Sequence, residues 1–421
     1  MTRRGHFVFV SFMLLIAPPL CAQASDERVQ QLEKKLDELV RQADELRQEI
    51  NALKGSPSPA APQEEDLTKV SEVAPQAAQP SAAPALTEVQ TVNNQVNPGA
   101  SKVFNPDTSV IGNFIGRAGR KNPYEFGPAN QRPPLQLDEA EVAFEAFVDP
   151  YMKGKFFLSF TPEGVDVEEG YANLIALPHD LTAKIGKMKA TFGKDNTWHT
   201  HVRPWVDQPL VIHNFFGDEG LNDYGVSLSK AFPNDYAYVE ATAEAFSGDV
   251  NGVFTRHNNN DLFYNGHVKL FKDVTENSNI ELGTSYARGN AAADHAVSNQ
   301  FGGVDVTYRW KPLQQGLYRS FIGRFEGIVD DRGDAGRRLK GYYASADYQL
   351  GQRWFTGVRI DRADRENTTD RGAAATLTFW PSEFSQFRSE LRRISYGGAK
   401  SVTELLLGMQ FSIGAHGAHT F

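Results

Sequence analysis

Residues 404–421 read ELLLGMQFSIGAHGAHTF. Leu405, Leu407, Met409, Phe411 and Ile413 occupy every second position, and Glu404, Gln410 and Ser412 sit among the residues between them. A period of two describes a strand with one apolar face and one wetter face. With nothing after it to turn back, this strand is expected to pair with an earlier one. The aromatic last residue, Phe421, adds a second clue, and the other end of the chain decides how both are read.

Residues 1–24 (MTRRGHFVFVSFMLLIAPPLCAQA) begin with Arg3 and Arg4, continue through an apolar run from Phe7 to Ile16, and end in Ala22-Gln23-Ala24. That is the basic, apolar, small-x-small order of a secretory signal, and the run is too short to span a bilayer as a helix. Cleavage after Ala24 removes the single cysteine, Cys21, so the mature chain is expected to carry no disulfide and no thiolate chemistry. Losing Arg3 and Arg4 moves the formal net charge from −9 to −11, which argues against a nucleic-acid partner.

Val29, Leu32, Leu36, Leu39, Ala43, Leu46, Ile50 and Leu53 alternate in gaps of three and four. This is an a/d heptad seam, so residues 25–54 are expected to form a coiled coil with copies of the chain. Residues 55–103 are rich in Pro, Ala, Gln and Ser and read as a disordered linker. A helix on such a tether finds its partners in other chains, which predicts a homo-oligomer.

Residues 104–421 show no helical period of any length. They contain segments of about ten residues with alternating polarity, the signature of outer-membrane strands. Sixteen are expected, at 107–118, 138–149, 153–162, 165–176, 181–191, 223–232, 236–247, 261–271, 278–288, 301–311, 319–329, 339–350, 353–362, 371–380, 385–395 and 402–413. Short turns alternate with long polar loops at 119–137, 192–222, 248–260, 289–300, 330–338 and 363–370, except for a short join near Glu163. The fold expected is an all-β, sixteen-stranded antiparallel transmembrane barrel. Its final strand closes on its first, its outer face meets outer-membrane lipid, and the coiled coil lies in the periplasm. The mean hydropathy of −0.44 fits, because only half of each strand meets lipid. Phe421 resembles the C-terminal signal read by the barrel-assembly machinery.

The loop 192–222 carries Trp198, His199, His201, Arg203, Trp205, Asp207, His213, Asp218 and Glu219. So much buriable aromatic surface points to a loop folded into the lumen, where it would be the pore constriction. Residues 167–196 (VEEGYANLIALPHDLTAKIGKMKATFGKDN) resemble a stretch of the phosphate-selective porin O and P family. The match lies in Glu168, Glu169 and Tyr171, followed by Gly186, Lys187, Lys189, Phe192 and Gly193. The resemblance implies a trimeric, sixteen-stranded porin with an N-terminal coiled coil. The FNPDTSVIGNFIG start (104–116) and GAHGAHTF end (414–421) also resemble uncharacterised outer-membrane proteins, some described as zinc-regulated.

Among charges assigned to the lumen, Glu139, Glu141, Glu145, Glu240, Glu244, Glu281, Asp305, Glu326, Asp347, Asp361 and Glu390 outnumber Lys187, Lys189, Lys269, Arg309, Arg324, Arg359, Arg388 and Arg392. Ring charges set pore selectivity, so a weakly cation-preferring or unselective pore is expected. A local anion site at Lys187, Lys189 and Arg203 stays open.

His199, His201 and His213, near Asp207, are candidate ligands for zinc or copper, though no known zinc spacing is present. No cofactor is expected. No G-x-S-x-G, H-E-x-x-H or phosphate loop occurs, so no enzyme activity is expected either. Two alternatives to a diffusion porin remain. One is a structural anchor tethering the envelope, with the coiled coil near peptidoglycan. The other is a divalent-metal uptake channel.

Overall fold

A computed structural model describes Arg41, which is helical, and residues 106–119, 134–291, 297–333, 337–399 and 401–414. The signal segment, the heptad seam as a whole, the linker, His416, His419 and Phe421 lie outside the described residues.

Sixteen strands form one closed antiparallel barrel. They are β1 (Asp107–Gly119), β2 (Leu135–Asp149), β3 (Met152–Thr161), β4 (Gly164–Leu177), β5 (Leu181–Lys189), β6 (Asn222–Phe232), β7 (Tyr238–Phe246), β8 (Phe263–Thr275), β9 (Ser278–Asn290), β10 (Ser298–Trp310), β11 (Phe321–Arg332), β12 (Arg337–Gly351), β13 (Trp354–Arg365), β14 (Thr368–Ser382), β15 (Ser385–Ser395) and β16 (Val402–Gly414). Each pairs with its sequence neighbours, and β16 closes on β1 from Ser109 opposite Gly414 to Gly119 opposite Glu404. All sixteen expected strands are present.

The alternation in the last strand has a direct structural meaning. Val402, Glu404, Leu406 and Gln410 are buried inside, whereas Leu405, Leu407, Met409 and Ile413 are exposed on the outer surface. On β10, buried Phe301, Asp305 and Thr307 flank the outward Val304 in the same way. The outer face is therefore apolar, as a lipid-facing surface must be.

Aromatics bound this apolar band at both ends. Phe147, Tyr151, Phe232, Tyr236, Tyr348, Trp354, Phe384 and Phe387 are exposed near the short turns. Tyr224, Tyr264 and Tyr286 are exposed near the long loops. On β6, Tyr224 and Phe232 stand about 26 Å apart along the strand, with Val226 and Leu228 between them. Amphipathic rings at two levels are the mark of the two membrane interfaces.

Three connections differ from expectation. The long loop expected at 363–370 contracts to 366–367, because β13 and β14 continue as a projecting hairpin. Its polar residues bond one another: Thr369 Oγ1 donates to Asp364 at 2.8 Å, and Arg365 pairs with Asp370 at 2.7 Å. Polar composition there marks strand above the bilayer rather than loop. The same holds at 330–338, where the connection is 333–336. Conversely, 311–320 is a long connection on the short-turn side.

Candidate functional site

The chain leaves the wall at Lys189 and returns at Asn222, and the segment between crosses the barrel interior. The exit is built by the residues of the family-like stretch. Gly186, in β5, has φ +144°, and a Cβ there would stand 2.7 Å from Tyr171 Cα. Gly193 has φ +58°, and a Cβ there would collide with the Glu326 carboxylate. Only glycine suits both positions. Past that turn, the Gly193 N–H donates to Ser285 Oγ (2.8 Å) and the Asp195 N–H to Glu326 (3.1 Å). Lys194 Nζ reaches Glu281 at 2.5 Å. Burial pushes the Lys194 ammonium below its ordinary value, and Glu281 opposes that shift. Asn196 ties the two ends of the segment together. Its Nδ2 donates to the carbonyls of Ala190 and Leu221, and its Oδ1 accepts the Leu221 N–H.

The run LVIHNFF forms helix α1 (Leu210–Phe216). Leu210, Val211, Ile212, Phe215 and Phe216 are all buried, and the helix packs on β12 and β13. Phe216 meets Phe192 at 5.3 Å and Phe301 at 5.1 Å, both edge-on. A second loop, 247–262, adds Val250, Val253 and Phe254 to the same core. Phe254 stacks on Phe263 at 4.8 Å. The barrel thus holds an apolar core inside part of its lumen. At about 1.5–3 kcal/mol for each large side chain buried, this core fixes the segment to the wall.

Between exit and helix, polar anchors take over. Asp207 accepts from Arg359 Nη2 (2.6 Å) and Arg392 Nη1 (2.5 Å). Burial alone would raise the Asp207 carboxyl, but the two guanidinium groups outweigh it and hold it well below the usual carboxylate range. Arg359 also pairs with Asp361 (2.8 Å), and Arg392 with Glu404 (2.7 Å). Arg388 Nη1 donates to the carbonyls of Arg203 and Trp205. The Val206 N–H donates to Glu390 (2.7 Å). Trp205 lies under Arg359 and edge-on to Tyr343.

The segment's other contacts reach β2 and β4. His199 Nδ1 lies 2.8 Å from Glu141 Oε2 and 3.1 Å from Glu168 Oε2, and its Nε2 lies 3.0 Å from Glu169 Oε2. His201 Nδ1 is 3.3 Å from the same Glu141 oxygen. Burial disfavours the His199 imidazolium, but Glu168, with hydrogen bonds to Glu141, Glu168 and Glu169, holds it well above the ordinary histidine range. Trp198 packs 6.1 Å from Trp205 and beneath Arg324.

His213 does not join the other two histidines. It meets Asp218 at 2.9 Å. Lys187, Lys189 and Arg203 also do not converge: they pair with Asp166 (3.3 Å), Glu168 (3.0 Å) and Asp195 (3.2 Å) respectively. Several other inward charges are engaged as well, whereas Asp305 Oδ2 is buried without a hydrogen-bond partner among the described residues. Glu240 meets Lys269, Glu244 accepts from Thr191 and Asn265, Arg309 reaches Glu281, and Arg324 contacts Asp347.

Among the described residues, a cavity of about 510 Å³ lies between the segment and β1–β4, β13 and β15. Asp138, Glu139, Glu163, Asp166, Glu168, Asp207, Asp218 and Glu219 line it, against Arg117, Lys189, Arg203, Arg365 and Arg392. Carboxylates are in excess. Sequence reasoning missed the carboxylate trio around His199 as a unit and the apolar anchor around Phe216. Five apolar residues within seven, in LVIHNFF between two strands, were the available signal for the anchor.

No model of a known protein family matches the chain. An uncharacterized protein of Aquifex aeolicus (strain VF5) is 28% identical over 391 residues, 78% of this chain and 82% of the relative. Among solved structures, an anion-selective porin from Comamonas acidovorans superposes with TM-score 0.51 at 12% identity, covering 73% of this chain and 98% of the porin. OprB of Pseudomonas putida gives 0.52 at 11% identity, covering 73% and 94%. The barrel has the porin fold. At these identities the likeness is one of fold, so the chemistry of this lumen has to be read from its own residues.

Proposed function

We propose that the protein is an outer-membrane porin, a water-filled channel for small hydrophilic solutes and ions, with the segment 190–221 as its constriction. The observation that carries this reading is the segment's path. It is fixed by Asp207, α1 and His199 to separate stretches of the inner wall, and a polar, charged cavity remains beside it. Two aromatic belts around an apolar band support insertion in a bilayer. The same reading takes the protein to be a trimer, with the coiled coil 25–54 periplasmic and near peptidoglycan, and Phe421 read by the assembly machinery.

The charge of the passage favours weak cation preference. The inward arginines Arg359 of β13 and Arg388 and Arg392 of β15 are engaged by carboxylates and backbone carbonyls rather than presented as a ladder for anions. Phosphate selectivity is therefore not part of the proposal, nor is an enzymatic activity. Single-channel recording of the full-length protein in planar bilayers, with reversal potentials under a salt gradient, tests it. Discrete ohmic steps with a cation-leaning reversal potential are expected. A folded, inserted barrel without conductance would instead favour an envelope anchor.

A further inference from the structure

We infer that His199, Glu141 and Glu168, with His201, form a binding site for a divalent transition-metal cation of the zinc class. One oxygen each of Glu141 and Glu168 and one ring nitrogen of His199 lie within 4.8 Å of one another. The closest pairs are tighter: His199 Nδ1 stands 2.8 Å from Glu141 Oε2 and 3.1 Å from Glu168 Oε2, and His201 Nδ1 stands 3.3 Å from Glu141 Oε2. Donors at metal–ligand distances of about 2.0–2.1 Å around a tetrahedron are separated by about 3.3 Å. These donors therefore need only small shifts to surround one ion.

The surroundings of the donors are those of a metal site. With a cation at Nδ1, the other ring nitrogen of His199 faces Glu169 at 3.0 Å. This is the carboxylate–histidine–metal arrangement that fixes the tautomer and raises ligand basicity. Glu169 is itself held by the Lys189 N–H (2.7 Å), and Lys189 Nζ steadies the second oxygen of Glu168 (3.0 Å). Phe157 packs on the His199 ring at 4.7 Å. Glu141, Glu168 and Glu169 are all buried, and buried carboxylates require a compensating charge. Lys189 supplies one. A proton on His199 and a divalent cation are alternative ways to supply the rest. Glu168, Lys189 and Thr200 also line the lumenal cavity, so ions have an entry path.

Imidazole with carboxylate selects zinc, cobalt, nickel or copper(II) over calcium or magnesium. Bound there, the ion would join the segment carrying His199 to β2 and β4, which carry Glu141 and Glu168.

The test uses metal-free full-length protein in detergent, titrated with cobalt(II) and followed by its visible d–d absorption, then with zinc as competitor. One equivalent of cobalt per chain is expected, with the intense bands of four-coordination, bleached by one equivalent of zinc. His199→Ala and the closer mimic His199→Gln should abolish the bands while the barrel remains folded by circular dichroism. Glu169→Gln should weaken binding by about 10- to 100-fold. His257→Ala, in the 247–262 loop, should change nothing. Folded wild-type protein that takes up no stoichiometric cobalt or zinc overturns the inference, as does binding indifferent to both His199 variants. The readout is independent of conduction: a barrel that binds the ion without conducting would sink the channel reading alone.

Discussion

Asp207 Oδ2 accepts a hydrogen bond of 2.5 Å from Arg392, 185 positions further along the chain. Its other oxygen accepts one of 2.6 Å from Arg359. One loop carboxylate thus bridges guanidinium groups from two different strands of the wall, β13 and β15. Removing one member of a buried ionic cluster costs more than the cluster contributes over an apolar replacement, because the remaining charges lose their counter-ion. Asp207→Asn is expected to weaken the segment's docking by about 3–5 kcal/mol. Limited proteolysis of the inserted protein should show new cleavage between 198 and 209, where the wild type resists.

Acid should release that anchor late. The Asp207 carboxyl titrates below its ordinary value in the folded protein. A carboxyl depressed on folding contributes stability that is fully present above its unfolded value, near 3.9, and is lost as pH falls through the lower folded value. Open-channel conductance, corrected for bath conductivity, should therefore hold steady from pH 7 to about pH 4 as far as this contact governs it. A midpoint of loop release between pH 5 and 6 that Asp207→Asn abolishes would contradict this.

The apolar anchor predicts a purely packing effect. Phe216 is fully buried against Phe192 and Phe301. Phe216→Ala should destabilise the docked segment by about 3–5 kcal/mol without changing any charge. Current noise should rise while the reversal potential stays the same; a shifted reversal potential would count against the assignment.

Replacing Trp198–Phe216 by a short Gly-Ser turn should raise single-channel conductance several-fold, because the narrowest part of a pore dominates its resistance. Unchanged conductance would place the limiting resistance elsewhere.

Charge at the cavity rim should tune selectivity. Glu163 and Glu219 line the cavity and are solvent-exposed. Glu163→Lys with Glu219→Lys should move the reversal potential towards anions. Glu383→Lys, on the short turn between β14 and β15, should do so far less. Equal shifts would show that the barrel mouths, rather than this cavity, set the preference.

The barrel was legible because its signal repeats. Leu405, Leu407 and Met409 alternate with inward residues, and the same rule recurs in β8, β9, β10, β14 and β15. Boundaries were harder, and for a physical reason: Asp364, Thr369 and Asp370 look like loop residues, yet they satisfy one another in a hairpin beyond the apolar band. The lumenal location of the segment was readable from its tryptophans and histidines. Its wiring was not. Glu141 and Glu168 come from different strands, and only the three-dimensional register brings them to His199. His213 shares the segment and the residue type, but one turn of helix α1 carries it to Asp218 instead.

The pairing of Ser109 with Gly414 and of Gly119 with Glu404 has a temporal consequence. Of the sixteen described strands, the first to be made has the last as one of its two edge partners. Until Val402–Gly414 arrives, β1 and the newest strand each present an open row of peptide groups, a template for any passing chain. A chain lacking its final strand would keep both edges open, and such unpaired edges make it prone to pair with other chains rather than merely inactive.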